Sequence, residues 1–332
     1  MTWSFADLIG QDETISRLRR EAETGKLAHA YLFEGPTGCG KTTLAKGLAA
    51  FLFCETKKDG DACGGCRPCR LLAHGEHPDY LELPRASDDP YATDLKISRF
   101  LERPGKKEEV KHTPLLTFLR LKPVEGNHRV AVIPDADRML QGAANALLKT
   151  LEEPPGNATL ILTASSRDHL LATIVSRCRR IGLRPLAANV LTKEIARRKI
   201  APDADAETLA FAAEGALGIA IGLADSDTFA LWRWLDREAF ATANPGAARE
   251  LADRLTTYSA GADNTEKRKN ALASLNLAAL ALRRRLRAGI APDKTEAALA
   301  ALWEAGEQIE KMVKPELVVL SAAFDAMSAL RG

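Results

Sequence analysis

Aromatic side chains are scarce in this chain, 5% of its 332 residues, while alanine and leucine dominate, a balance that favours helices. No run of about 18 apolar residues occurs, which excludes a membrane-spanning helix by hydropathy. The N-terminal Met1-Thr-Trp-Ser-Phe-Ala-Asp7 lacks the basic and apolar regions of a secretory signal, so the expectation is a cytoplasmic protein with no membrane partner. Charge of one sign is also missing. A net charge of +2 implies no polyanion-binding surface by itself, so any nucleic-acid contact must be local. Internal repeats and low-complexity segments are absent. Disulfides are not expected in a reducing compartment, so the six cysteines read as thiols or metal ligands. The apolar share of 46% suffices for packed cores, and the length suggests about two domains, or three small ones.

What is present centres on Tyr31-Leu-Phe-Glu-Gly-Pro-Thr-Gly-Cys-Gly-Lys-Thr42. Ala30 to Phe33 has the length and residue types of a buried strand. Gly35-Pro36-Thr37-Gly38-Cys39-Gly40-Lys41-Thr42 then satisfies G-x-x-x-x-G-K-[ST] at every required position. Leu44, Ala45, Leu48, Ala49 and Leu52 follow at helical spacing. The glycines let backbone approach a polyphosphate, and the helix N-terminus points N–H groups and its positive dipole end at the anion. Lys41 adds charge for the β/γ oxygens, and the Thr42 hydroxyl is placed for Mg²⁺. The loop reads as built to hold a nucleotide, with ATP and Mg²⁺ among the ligands it would take; the competing reading is a glycine-rich turn before an ordinary helix.

Cys54, Cys63, Cys66 and Cys69 come next, the last three at successive C-x-x-C spacings with Gly and Pro between them. Such turns bring thiolates to about 2.3 Å of one four-coordinate Zn²⁺. Four protein ligands leave no open position, so the metal would be structural. A redox pair would not need four cysteines; a remnant that has lost its metal is the other option.

Further on, Arg129 to Ile133 and Thr159 to Thr163 read as buried strands, with a helix between them over Ala143 to Glu153, stopped by Pro154-Pro155. Strands alternating with helices indicate an α/β fold with a parallel sheet covered on both faces. The charged run Lys106 to Lys111, within a mixed excursion over 84–114, reads as a solvated face. After about Arg184 the strand pattern stops. The expected division is 1–183 for a nucleotide-binding domain with a cysteine knuckle at 54–69, 184–226 for a small helical lid, and 227–332 for an all-helical domain. Within the last, Arg283 to Arg287 reads as a solvated basic helix end, with a DNA or partner contact as the sharper alternative.

The phosphate loop, the inserted cysteine set, Asn145-Ala-Leu-Leu-Lys-Thr-Leu-Glu-Glu-Pro-Pro155 and Ser176-Arg-Cys178 together resemble the clamp-loader branch of the AAA+ family, and within it bacterial DNA polymerase III subunits. His77-Pro-Asp-Tyr80 adds to the likeness, which is good over residues 5 to 183; the helical remainder matches in character and length. The resemblance implies an AAA+ domain, a lid, and a helical collar. It also implies assembly with the tau/gamma and delta subunits in an open ring of five, with the sliding clamp and primed DNA as further partners and phosphate contacts independent of sequence.

The resemblance also locates what is missing. Counted back without gaps from Asn145, the family's Mg²⁺ aspartate falls on Pro134 and its glutamate on Asp135. A slip of one residue would make Asp135 the metal ligand and place Ala136 at the glutamate. Either way the pair that holds metal and attacking water is broken. The sensor after the third strand falls on Ser165, and the lid arginine falls on Gly218. Arg177 survives. In the family such an arginine reaches into the neighbouring subunit's nucleotide site, where its planar fork neutralises charge on the transferring phosphoryl group. From the residues alone, an ordinary surface or interface ion pair stays open for Arg177, and Cys178 reads as a packing residue. A kept finger beside a broken acidic pair is the pattern of a loader wall rather than a motor, with ATP hydrolysis of its own weak or absent.

Overall fold

Among the described residues, five parallel strands organise the N-terminal half: β1 (Ala30–Glu34), β2 (Tyr80–Glu82), β3 (Arg129–Ile133), β4 (Ala158–Ala164) and β5 (Arg179–Gly182), in the order β2-β3-β4-β1-β5. The computed structural model describes residues 3–84, 114–224, 226–241, 244–261, 263–310 and 314–331. The charged run Lys106 to Lys111 lies outside them. The chain divides into two units, residues 1–187 with 215–219, and residues 188–214 with 220–332.

In the first unit the period-2 side-chain pattern of the strands builds two cores. Leu32, Ala131, Ile133, Leu160 and Leu162 face one side, packed with Leu147 and Leu151 of α5 (Gln141–Glu152) and Ile174 of α6 (Ala172–Val175). Tyr31, Phe33, Val130, Val132 and Ile161 face the other, packed with Ile15 and Leu18 of α1 (Asp12–Glu23) and with Leu44 and Leu48 of α2 (Lys41–Phe53). A sheet buried on both faces needs continuous apolar strands rather than alternating ones. The sequence of β3, Arg-Val-Ala-Val-Ile, has that character, and all five residues are buried. Between strands lie α3 (Arg67–His74) and α4 (Leu115–Arg120). Helix α5 ends where Pro154 removes the next usable N–H.

Two strands are additions to the sequence reading. β2 is three residues long, and β5 carries a single buried side chain, Ile181, among exposed arginines and a glycine. Neither offers enough apolar signal to mark a strand; both are held by pairing, β2 to β3 and β5 to β1.

The second unit is helical among its described residues. It contains α7 (Ala188–Arg197), α8 (Asp203–Ala212), α10 (Asp227–Trp234), α11 (Pro245–Tyr258), α12 (Asn264–Arg287), α13 (Pro292–Glu310) and α14 (Pro315–Arg331); α9 (Leu217–Ala224) begins in the first unit. Leu251, Leu255, Leu275, Leu282, Leu302, Ile309, Val319 and Met327 share one core. The basic end of α12 has a structural use beyond the solvated face expected of it. Arg284 pairs with Asp236 at 2.6 Å and Glu207 at 3.6 Å, and Arg284 and Arg287 both lie over the Phe211 ring.

Candidate functional site

Because the described strands are all parallel, the ends of β1, β3 and β4 open onto one edge of the sheet, where ligands of open α/β sheets bind. The phosphate loop leaves β1 there. Its Gly35 N–H donates to the carbonyl of Ala164 at the end of β4, 3.2 Å away. Gly38 and Gly40 have φ of +76° and +98°, left-handed values that suit glycine alone in such close quarters. A Cβ on Gly40 would stand 2.3 Å from Leu8 Cδ1. Helix α2 begins at Lys41, whose Nζ donates to the carbonyls of Gly35 at 2.6 Å and Pro36 at 2.8 Å. The ammonium is thus folded onto its own loop and buried. Pro36, Thr37 and Cys39 complete the turn, and burial pushes the Cys39 thiol up. Thr42 stands in the first turn of α2, the position from which its hydroxyl would meet a metal.

The segment that follows α8 closes onto this loop. Gly218 donates its N–H to the Gly38 carbonyl at 2.9 Å, and a Cβ on Gly218 would lie 3.0 Å from both Gly38 Cα and O. The position expected to carry a lid arginine is therefore a backbone-to-backbone contact with little room for a side chain.

At the end of β3 the chain runs through buried Pro134 to Asp135, which takes φ +50° and donates its N–H to Thr163 Oγ1 at 3.2 Å. Ser165, beyond β4, donates its N–H to Asp137 Oδ2 at 2.8 Å. Asp137 and Thr163 were not singled out from the sequence. Their signal lies in position alone, two residues from Asp135 and from Ser165. The edge thus has an acid at residue 135, but its backbone turns left-handed where an acidic pair would continue the strand. Beside the loop, Glu34 pairs with Arg180 at 3.4 Å and Arg167 at 4.0 Å, two arginines that sequence reasoning also missed.

Arg177 follows α6. Its Nη1 donates to the Thr173 carbonyl at 3.0 Å and its Nη2 to Glu152 Oε1 at 2.8 Å, at the end of α5. The side chain keeps 35% of its surface exposed. Its neighbour Cys178 is buried in the core with Ile174, and burial pushes its thiol up to about 12, as befits a packing residue.

The four-cysteine knuckle is assembled by the ends of two helices. Cys54 ends α2, Cys66 precedes α3, Cys69 lies within it, and Cys63 sits in the loop between. Their sulfurs all lie within 4.8 Å of one another. Backbone N–H groups already point at sulfur: Cys63 N to Cys54 Sγ at 3.2 Å, Cys66 N to Cys63 Sγ at 3.3 Å and Gly65 N to Cys63 Sγ at 3.4 Å. The Thr56 hydroxyl, with the Gly65 and Cys66 amides, lowers the Cys63 thiol to about 5. Such donors stabilise thiolates, so the donor set fits a soft tetrahedral metal ion. Asp61 ties the knuckle to the N-terminus, accepting from Ser4 Oγ at 3.0 Å and Ala6 N at 3.0 Å.

His77-Pro-Asp-Tyr80 is structural. The His77 ring stacks on Phe53 at 4.1 Å, and Asp79, fully buried, accepts from the amides of Val124, Glu125 and Gly126 and pairs with Arg129 at 3.3 Å.

Among the described residues no helix is long and apolar enough to cross a membrane. The chain is similar to the DNA polymerase III subunit tau of Escherichia coli (33% identity over 67% of this chain and 32% of that protein). It is also similar to the DNA polymerase III subunit delta′ of Pseudomonas aeruginosa (38% identity over 55% of this chain and 50% of that protein). The match thus spans about a third of the first relative's length and half of the second's. A DNA polymerase III gamma subunit-related protein of Thermotoga maritima aligns over 94% of this chain and 99% of its own, at 18% identity and a TM-score of 0.47. Residues 10–187 match the family described as "DNA polymerase III, delta subunit". That is more than half of the chain, and the protein belongs to this family of DNA polymerase III clamp-loader subunits.

Proposed function

We propose that this chain is the delta-prime subunit of the clamp loader, a fixed wall that helps place the sliding clamp on primed DNA and lends Arg177 to the neighbouring subunit's ATP site. One observation carries the reading. The arginine stands part-exposed in the turn after α6, while the strand that should present the acidic pair is followed by Pro134 and a left-handed Asp135. A metal-bound water would lack its second carboxylate here, whereas a guanidinium supplied across an interface needs only to be presented. The Gly38–Gly218 contact supports the same reading, since it stands where a motor would place an arginine on the γ-phosphate.

In this reading Arg177 is the catalytic residue, acting in trans. Zn²⁺ is structural, held by Cys54, Cys63, Cys66 and Cys69 with the amides of Cys63, Gly65 and Cys66 steadying the thiolates. Gly35 to Thr42, Asp135 and Ser165 form a nucleotide cradle with weak or no hydrolysis, for which ATP with Mg²⁺ remains the fitting ligand. The partners are the tau/gamma and delta subunits in a five-membered ring, the clamp and DNA, in the cytoplasm. Residues 184–226 serve as the lid and 227–332 as the collar.

The second reading, a tau/gamma-like motor, is favoured by the complete phosphate loop, Gly35 to Thr42. The two part on one experiment. In the reconstituted loader, Arg177→Ala in this chain alone should abolish DNA-stimulated ATP turnover at the adjacent site, by a factor on the order of 10³, with assembly preserved. Unchanged turnover would remove the wall reading; loss of turnover on Asp135→Ala instead would establish the motor.

A further inference from the structure

We infer that Glu152 is a positioning residue for Arg177, holding the guanidinium in the orientation in which it is presented to the neighbouring nucleotide site. The inference rests on the role proposed for Arg177 above and adds the group that aims it.

The two side chains are carried by supports that share one core. Leu151, immediately before Glu152, is buried with Leu147, and Ile174 and Cys178, which flank Arg177, are buried in the same cluster. Pro154 and Pro155 stop α5 just past Glu152, so the residue is the last of the helix. Glu152 thus stands on a packed helix, and sites so held are placed more accurately than sites on loops, such as the turn that carries Arg177. The guanidinium meets two acceptors at once, Thr173 O through Nη1 and Glu152 Oε1 through Nη2, which fixes both the reach and the rotation of its plane. An arginine side chain has many rotamers to lose, and two anchors remove that freedom before any phosphate arrives. The fork's other N–H groups are not used by these two bonds and remain able to meet an anion.

Energetics separate this role from a structural one. Glu152 is 52% exposed and Arg177 35%. A pair so wetted contributes little to fold stability. Its consequence is orientation. The other arginines nearby are held by different acids, Arg179 by Glu21 and Arg180 by Glu34, so Glu152 is paired with Arg177 specifically.

The test is single-turnover ATP hydrolysis by the reconstituted loader with clamp and primed DNA. It compares wild type, Arg177→Ala, Glu152→Ala, Glu152→Gln, Glu152→Arg and the Arg177→Ala/Glu152→Ala double variant, after size-exclusion confirms assembly. Glu152→Ala should lower the single-turnover rate at saturating ATP about tenfold with the half-saturating ATP concentration unchanged, as expected for a misaimed group. Glu152→Gln, which keeps an accepting oxygen, should recover most of the rate. Glu152→Arg should lose more than Glu152→Ala, and the double variant should be no slower than Arg177→Ala. If Arg177→Ala is slow while Glu152→Ala matches or exceeds wild type, Glu152 does not position the finger and the inference is overturned. If Arg177→Ala itself matches wild type, the proposed function is lost first, and the role of Glu152 with it.

Discussion

Gly218 and Gly38 touch through their backbones, N–H to carbonyl at 2.9 Å, with no room for a side chain on either partner. Gly218→Ala would force its Cβ to 3.0 Å from Gly38 Cα and O, and cost about 1–3 kcal/mol as an overpacked contact. Gly222, on the same helix α9, has nothing within 4 Å of the place a methyl group would occupy, so Gly222→Ala should be neutral or stabilise by up to about 1 kcal/mol. Urea unfolding of the two variants checks the contrast; equal effects would mean the contact is not formed in solution.

Asp79 is the second position of high sensitivity. Its carboxylate is fully buried, meets three successive amides at residues 124–126, and faces Arg129, which also donates to the Lys122 carbonyl at 2.6 Å. Removing one member of a buried pair strands the other. Asp79→Ala should therefore destabilise the first unit by about 3–5 kcal/mol, read by thermal or denaturant unfolding. Arg67→Ala, which removes an exposed partner of Glu125, should cost at most about 1 kcal/mol by the same measurement.

Metal content tests the knuckle. Elemental analysis of the purified chain should find about one zinc per molecule for a four-thiolate site. Cys63→Ser or chelation should lower the melting temperature, because metal binding and local folding are linked. Cys178→Ser should leave zinc content unchanged, since that thiol is packed in the core of the sheet.

Glu194 gives the second unit an acid-sensitive step. Hydrogen bonds from Arg197 and Arg198 outweigh partial burial and pull its carboxyl from the usual 4.5 down to about 2. A carboxylate lowered in the folded state adds stability above the unfolded value, and that stability drains as pH falls from about 4.5 toward 2. Glu194→Gln should flatten the decline of stability across that window. A titration of unfolding free energy between pH 5 and about 2 reads the slope directly.

Much of the sheet was legible because buried parallel strands are written as continuous apolar runs: Ala30 to Phe33, Arg129 to Ile133 and Thr159 to Thr163 all lie in strands. β5 was not, because Arg179, Arg180 and Gly182 are exposed and its place is set by pairing with β1. The phosphate loop and the cysteine knuckle were legible because fixed spacings carry their chemistry. Contacts made across long separations carry no local pattern. That is why Asp137 beneath Ser165, Glu34 between two arginines, and Glu152 beneath Arg177 emerged only in three dimensions.

β1 lies inside the sheet, bonded to β4 along one side and to β5 along the other. A strand gripped on both flanks cannot peel away singly. Its own amides, held in a ladder inside the layer, should therefore be among the last in the domain to trade their protons with solvent. The glycine loop thus springs from the strand of the layer that is hardest to open.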